Sequence, residues 1–239
     1  MILLRSLLFN TLMILSVLPY AVAVLLAAPF GGRATYRLVA GWVDLNVWFL
    51  RRICSLDYEV RGRENIPAEA SVAMLKHSSA YETLVELQIF PRQTWVLKRE
   101  LLWVPFFGWA LATLQPIAID RRAGGSAVQQ VIDQGKRRLA DGIWVMVFPE
   151  GTRMAPGETR RYGLSGTLLA QAAGRKLVPV AHDAGYYWPR RGLRKRPGTV
   201  RFVIGEPVDP AGRDPREVNE EIQAWVEATI AELRAEAER

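Results

Sequence analysis

Two histidines occur in the chain, so chemistry that needs an imidazole has two places to sit, His77 and His182. His77 follows the apolar run Ser71 to Leu75 and precedes Ser78-Ser79-Ala80-Tyr81-Glu82, which reads as a helix start. It therefore stands where a strand ends and a helix begins, a usual place for ligand sites in open α/β sheets. Glu82 lies five residues on. In a continuous helix that separation leaves the two side chains roughly 140° apart. They meet only if His77 lies ahead of the helix and folds back over its first turn, which the Ser-Ser pair permits. A neutral imidazole so placed can take the proton of an alcohol as its oxygen attacks a carbonyl. A carboxylate on the far ring nitrogen would set the tautomer and stabilise the imidazolium that forms. A second reading of Glu82 has equal claim: Ser79-Ala80-Tyr81-Glu82 is itself a capping box, in which Glu82 accepts from the Ser79 amide. His77, taken alone, reads more simply as a hydrogen-bonded structural histidine.

The second cluster is Phe148-Pro149-Glu150-Gly151-Thr152-Arg153, where an apolar run ends in a turn that carries a cation. Amides freed by such a turn, together with Arg153, can hold a phosphate. An ordinary turn with a solvated arginine has the same sequence. His182 has no neighbour that suggests a role beyond a structural one. The single cysteine, Cys54, excludes an internal disulfide framework and a Cys-rich metal site, and no metal is expected.

The elements that must position these residues are short. Apolar runs predict strands at Ser71 to Leu75, Thr94 to Leu97, Ile117 to Ile119, Trp144 to Phe148, Leu177 to Ala181 and Val200 to Ile204. Helical stretches lie between several of them, including Ala127 to Leu139 and Leu164 to Ala173. Strands alternating with helices predict an α/β layered fold, a mixed and largely parallel sheet flanked by helices. Asp214-Pro215-Arg216-Glu217 places an N-cap residue, a first-turn Pro and a capping-box Glu ahead of Val218, Ile222, Trp225, Thr229 and Leu233 at helical spacing.

The N-terminus has a different texture. No charge occurs between Arg5 and Arg33, a stretch long enough for the roughly 20 apolar residues a span needs. Pro19 interrupts it and is a place for a kink. A second run, Leu38 to Leu50, carries Trp42, Trp48 and Phe49 but also Asp44 and Asn46. The two runs fit a two-helix membrane anchor lying in one leaflet or at the interface; a single span by the first also fits. A cleaved signal peptide, ending near Ala21-Val22-Ala23, and a buried core helix are the competing readings. The chain divides at this level into a membrane-anchoring segment, residues 1–56, and a catalytic domain, residues 57–239. For a single span, Arg33, Arg37, Arg51 and Arg52 follow it, which predicts a cytoplasmic (inner) membrane location with residues 57–239 facing the cytoplasm.

Taken in order, these motifs resemble the glycerolipid acyltransferase family. Lys76-His77-Ser78-Ser79-Ala80-Tyr81-Glu82 resembles its first block, with Glu where most members have Asp. Lys98-Arg99-Glu100-Leu101 is similar to the segment that supplies a phosphate-contacting lysine, and Ile117-Ala118-Ile119-Asp120-Arg121 to the block that ends in a basic residue. Phe148 to Arg153 resembles the phosphate-binding block and Val178-Pro179-Val180-Ala181 the last one. The resemblance implies direct acyl transfer from acyl-CoA or acyl carrier protein, as co-substrate and without a cofactor, to the hydroxyl of a lysophospholipid such as 1-acyl-glycerol-3-phosphate. It implies His77 as base with Glu82 as its orienting partner. Lys98, Arg121, Thr152 and Arg153 would hold the phosphate, while Glu150 and Gly151 would shape the turn, with Glu150 also touching the glycerol hydroxyls.

The net charge of +7 points to anionic partners. Tyr186-Tyr187-Trp188 precedes Arg190, Arg191, Arg194, Lys195 and Arg196. That cluster fits an anionic bilayer surface, the phosphates of coenzyme A, or a solvated loop. No nucleic-acid motif accompanies the charge, and nucleic acid is not an expected partner. A non-catalytic protein binding anionic lipid would explain charge and apolarity but not the ordered motifs.

Overall fold

The structure, a computed structural model, describes residues 1–120 and 125–237. Its strands are β1 (Leu56–Arg61), β2 (Val72–Leu75), β3 (Gln93–Lys98), β4 (Ile117–Ile119), β5 (Trp144–Val147), β6 (Leu177–His182) and β7 (Gly198–Ile204). They form one sheet in the order β1-β7-β6-β2-β5-β3-β4. Every neighbouring pair is parallel except β6 with β7. Strands β6, β2, β5, β3 and β4 therefore run the same way, and the segments that follow them emerge at one edge. Each residue of β2, β5 and β6 is buried, as parallel strands covered on both faces require. The mixed, largely parallel sheet matches the sequence reading. Strand β1 is an addition: Leu56, Tyr58 and Val60 alternate with Asp57, Glu59 and Arg61, the pattern of a half-buried edge strand, and pair with β7.

The helices of the catalytic layer are α3 (Tyr81–Ile89), α4 (Phe107–Ala112), α5 (Gly125–Ala140), α6 (Ser165–Ala173), α7 (Ala184–Tyr187) and α8 (Pro215–Ala237). Asp214 Oδ1 accepts the Arg216 N–H at 2.7 Å, opening α8. Its buried face is Val218, Asn219, Ile222, Val226, Ile230 and Leu233. Ile230, not the predicted Thr229, continues the stripe; the interior takes the larger apolar side chain.

Two long helices precede the sheet, α1 (Ile2–Ala27) and α2 (Gly32–Cys54), joined by a short turn. Their contacts run in opposite order: Cys54 Sγ donates to the Arg5 carbonyl, Trp42 Nε1 to Ser16 Oγ at 3.0 Å, and Leu38 and Val39 pack by Val24. Pro19 sits within continuous α1. Helix α1 is the one described helix long and apolar enough to cross a membrane, and 11% of its apolar window is buried within the protein. Most of that apolar surface therefore faces away from the rest of the protein. Helix α2 does not meet that criterion and buries Val43, Asn46, Val47, Leu50 and Cys54 instead, so the two-helix anchor holds only for its first member. Both helices pack onto the catalytic layer: Phe9 is fully buried, and its cluster continues through Val47 and Leu50 into β2 and β5.

The aromatic cluster needs a correction. Trp188 is buried, edge-on to Phe9 at 5.6 Å, and Tyr186 lies against Arg234. Trp188 is thus turned inward, while Tyr186 and Tyr187 are half-buried against the core. A cluster of exposed aromatics lies elsewhere, at Trp103, Phe106, Phe107 and Trp109, where α4 packs on α1 through Ala110, Ala21 and Val24.

The antiparallel join of β6 and β7 is fixed by a buried ion pair. Asp183 Oδ2 accepts from Arg201 Nη2 at 2.6 Å and Nε at 3.1 Å, and Oδ1 takes the Arg201 N–H at 2.9 Å. Asp183→Ala leaves the guanidinium with Glu236 alone, at 3.5 Å. Chemical denaturation should show a loss of about 3–5 kcal/mol; a loss below about 1 kcal/mol, the range of an exposed pair, would contradict this assignment.

Candidate active site

His77 leaves β2 at the common edge and Glu82 sits in the first turn of α3. Glu82 Oε1 lies 3.0 Å from His77 Nδ1 and also accepts the N–H groups of Ser78, at 2.9 Å, and Ser79, at 2.8 Å. Ser79 Oγ accepts the Tyr81 N–H at 3.0 Å. The chain thus folds back over the helix start, and the two sequence readings of Glu82 describe one oxygen: it caps the helix and meets the imidazole. Burial raises the Glu82 carboxyl, but the His77 bond, the nearby imidazoles and the Ser79 amide pull it further down, below its ordinary value. The positive end of α3 favours the same charge. An oxygen that already accepts from two amides makes Nδ1 a donor, so the neutral ring carries its lone pair on Nε2. That nitrogen has no protein partner among the described residues. The ring stacks on Phe148, centroids 4.1 Å apart, and its edge faces a cavity.

Lys76 precedes His77 and points the other way, as successive strand residues do. Its Nζ lies 2.9 Å from Glu150 Oε1 and 2.6 Å from Glu227 Oε1, and donates to the Glu158 carbonyl at 2.7 Å. Glu150 Oε2 accepts the His77 N–H at 2.9 Å. Burial pushes the Glu150 carboxyl up, against the pull of the His77 amide and the Lys76 ammonium. This corrects the sequence reading of Glu150. Its side chain is fully buried and committed to Lys76 and the His77 backbone, and it is absent from the cavity lining while its neighbours Pro149 and Gly151 are present. It accepts the His77 backbone N–H, and its side chain is turned away from the cavity. Gly151 makes the following turn at φ +69°, with its N–H on the Phe148 carbonyl at 3.0 Å, a conformation that favours glycine.

His182 is structural, as the sequence suggests. It is fully enclosed, with Nε2 2.7 Å from the Lys76 carbonyl and Nδ1 accepting the Ala184 N–H at 3.3 Å. Burial lowers its pKa and favours the neutral ring.

The cavity measures about 850 Å³. Its apolar lining includes Met13 of α1, Val39 and Trp42 of α2, and Leu84, Trp95 and Leu97 beside the sheet. A pocket of about 80 Å³ shares Val39, Trp42, Phe107, Leu111 and Leu114 with it and reaches Val17 and Val24, extending the apolar surface between α1, α2 and α4. The polar lining includes His77, Lys98, Thr152 and Arg153. Lys98 is half exposed and 3.3 Å from Glu100, a weak surface pair. Arg121 lies outside the described residues. The sequence does not single out Trp95, whose indole donates to buried Glu86 and is fixed as a cavity wall. Nor does it place Arg190 and Arg191 specifically at this cavity. A lone pair facing an apolar chamber with cations at its wall can deprotonate the alcohol of a molecule that has both a hydrocarbon chain and an anionic group.

Known proteins share these features. The sequence model of the family described as Acyltransferase matches residues 57–183. A 1-acyl-sn-glycerol-3-phosphate acyltransferase of Pseudomonas aeruginosa is 46% identical over 205 residues, which covers 84% of this chain and 80% of that protein. The human 1-acyl-sn-glycerol-3-phosphate acyltransferase alpha is 27% identical over 172 residues, covering 71% of this chain and 61% of its own length. The crystal structure of the 1-acyl-sn-glycerophosphate acyltransferase of Thermotoga maritima superposes with a TM-score of 0.81, covering 98% of this chain and 96% of the other at 24% identity; that likeness is one of fold.

The reassigned carboxylate gives a test. Glu150→Gln keeps an acceptor for the His77 N–H but removes the charge from buried Lys76. It should lower unfolding stability by about 3 kcal/mol and leave the KM for a phosphorylated acceptor unchanged. A raised acceptor KM at full stability would return Glu150 to the substrate.

Proposed function

Because this chain belongs to the acyltransferase family, we propose that it moves a fatty acyl group from a thioester to the free hydroxyl of 1-acyl-sn-glycerol-3-phosphate, giving phosphatidic acid. The observation that carries the reading is the imidazole itself: Nδ1 is tied to a buried carboxylate 3.0 Å away while the ring faces an apolar cavity. The non-catalytic lipid-binding alternative gives no account of that arrangement.

The transfer proceeds in one enclosed site. The acceptor's hydrocarbon chain lies along the apolar lining, and Lys98 and Arg153 take its phosphate, Arg153 as a planar fork suited to phosphate oxygens. His77 Nε2 removes the hydroxyl proton as that oxygen bonds to the thioester carbon. The Glu82 carboxylate stabilises the imidazolium. The tetrahedral centre collapses, the C–S bond breaks, and the departing sulfur takes the proton back from Nε2. Products are an ester and a thiol. No acyl-enzyme forms, so Cys54, buried at the end of α2, has no part in it. The donor is acyl-CoA or acyl carrier protein, and no further cofactor is needed.

Helix α1 associates with the membrane, and the exposed Trp103, Phe106 and Trp109 beside it extend the apolar surface, so the lipid acceptor reaches the cavity from the bilayer. Helix α2 runs back along α1, so Arg33 and Arg37 lie at the C-terminal end of α1 while Arg51 and Arg52 lie with the sheet at its N-terminal end; with Arg51 and Arg52 beside it, the sheet is assigned to the cytoplasmic side of an inner membrane.

His77→Ala should lower kcat by about 10²–10⁴-fold while the protein still folds. Glu82→Gln, which keeps an oxygen for the two amides, should also lower kcat markedly while leaving acceptor KM alone. Thiol release from a palmitoyl thioester, read against lysophosphatidic acid, measures both. Full activity in His77→Ala would remove His77 from the base role.

A further inference from the structure

The reaction proposed above brings two phosphate-bearing molecules to one imidazole. The acceptor carries a phosphomonoester, and a thioester on a phosphopantetheine arm carries at least one phosphate of its own. The sheet order separates Lys98 from the cations that follow β6. β2, which delivers His77, has β6 on one side; β5 and then β3 lie on the other. Lys98 ends β3. Arg190 and Arg191 lie in the segment that follows β6 and α7, on the opposite flank, yet line the same cavity as His77.

That segment is built, not loose. The Gly192 N–H donates to the Pro189 carbonyl at 2.9 Å, and the Arg196 N–H to the Tyr187 carbonyl at 2.9 Å. Lys195 is buried, its N–H on Ser6 Oγ at 2.8 Å and its ammonium 4.3 Å from the Trp188 ring centroid. The Arg190 guanidinium donates to the Arg153 carbonyl, tying the segment to the turn after β5. Arg191 is held at φ +59°, a left-handed conformation that residues with a Cβ adopt against a steric penalty. Among the described residues no carboxylate pairs with Arg190 or Arg191, whereas Arg175, Arg201 and Arg213 each have one. One guanidinium held by a backbone carbonyl and a second at the same cavity wall, neither with a carboxylate partner among the described residues, suit an anion from outside, and a guanidinium is the side chain best matched to phosphate.

We propose that Arg190 and Arg191 form a second anion subsite, which takes a phosphate of the acyl donor's phosphopantetheine carrier on the flank of His77 away from Lys98. The proposal rests on the function proposed above and adds the division of its cations: Lys98 and Arg153 serve the acceptor, Arg190 and Arg191 the donor.

The test uses the full chain in non-ionic micelles, with Arg190→Gln combined with Arg191→Asn; asparagine tolerates the left-handed backbone. Arg191→Asn alone, at an exposed position, serves if the double variant unfolds early. The double variant should raise the KM for palmitoyl-CoA by about tenfold or more, the effect of losing charge-assisted hydrogen bonds, while the lysophosphatidic acid KM stays at the wild-type value. The gap between variant and wild type should close when the donor is palmitoyl-pantetheine, which has no phosphate. Calorimetric titration with coenzyme A alone, independent of turnover, should show about tenfold weaker binding. Equal loss with both donors, a rise confined to the acceptor KM, or unchanged coenzyme A affinity would overturn the subsite. A defect seen solely on anionic vesicles and absent in neutral micelles would assign these arginines to the bilayer surface instead. If wild-type protein binds coenzyme A through the arginines yet never acylates lysophosphatidic acid, the function proposed above fails while the subsite stands.

Discussion

One carboxylate oxygen holds the centre of the molecule. Glu82 Oε1 receives the His77 ring and the amides of Ser78 and Ser79 inside a protein that gives it no water. An ionised carboxylate there would be expensive if unpaired. Three donors and the positive end of α3 offset that penalty, and the same contacts force the chain to double back between β2 and α3. Helix initiation, the tautomer of the imidazole and the aim of its lone pair are therefore one structural event. The extra methylene of Glu, compared with Asp, suits a group that must span a turn and a ring together.

A second buried charge steadies the other side of the same residue. Lys76 gathers Glu150, Glu227 and the Glu158 carbonyl, linking the ends of β2 and β5 to α8. Through Glu150 it also fixes the His77 backbone. The imidazole is thus gripped at its ring from α3 and at its amide from β5. Beyond it, α1 and α2 are walls of the cavity. Met13, Val39 and Trp42 line the chamber, and Phe9 meets Trp188 from within the segment that carries Arg190 and Arg191. Apolar side chains of α1, α2 and α4 thus extend from the cavity that holds the base.

Much of this was legible in short segments of sequence and less of it across long ones. His77 and Glu82 sit close enough in the chain for spacing to raise the pairing, but spacing offered capping and catalysis as rivals because it cannot show one oxygen doing both. The parallel core of the sheet was readable because β2, β5 and β6 are continuous apolar runs. Strand β1 was not, since Asp57, Glu59 and Arg61 interrupt it and its partner β7 lies far along the chain. Glu150 looked like a substrate ligand because its real partner, Lys76, stands next to His77 in sequence but faces the opposite side of the strand. Tyr186 to Trp188 suggested a membrane belt by composition; their burial depends on Phe9 and Arg234, from the two ends of the chain. Aromatic content alone cannot tell an inward ring from an outward one.

The central claim concerns which nitrogen of His77 carries the proton, and the chain's two histidines make that directly observable. In protein labelled with ¹⁵N at histidine and held in micelles at a pH where both rings are neutral, nitrogen chemical shifts distinguish protonated from bare ring nitrogens. Loss of one signal set in His77→Ala assigns them. His77 should carry its proton on Nδ1 and leave Nε2 bare, while His182, whose Nε2 faces the Lys76 carbonyl, should show the reverse. A proton on Nε2 of His77, with Nδ1 bare, would mean that Glu82 does not orient the ring and that the lone pair is not directed at the cavity.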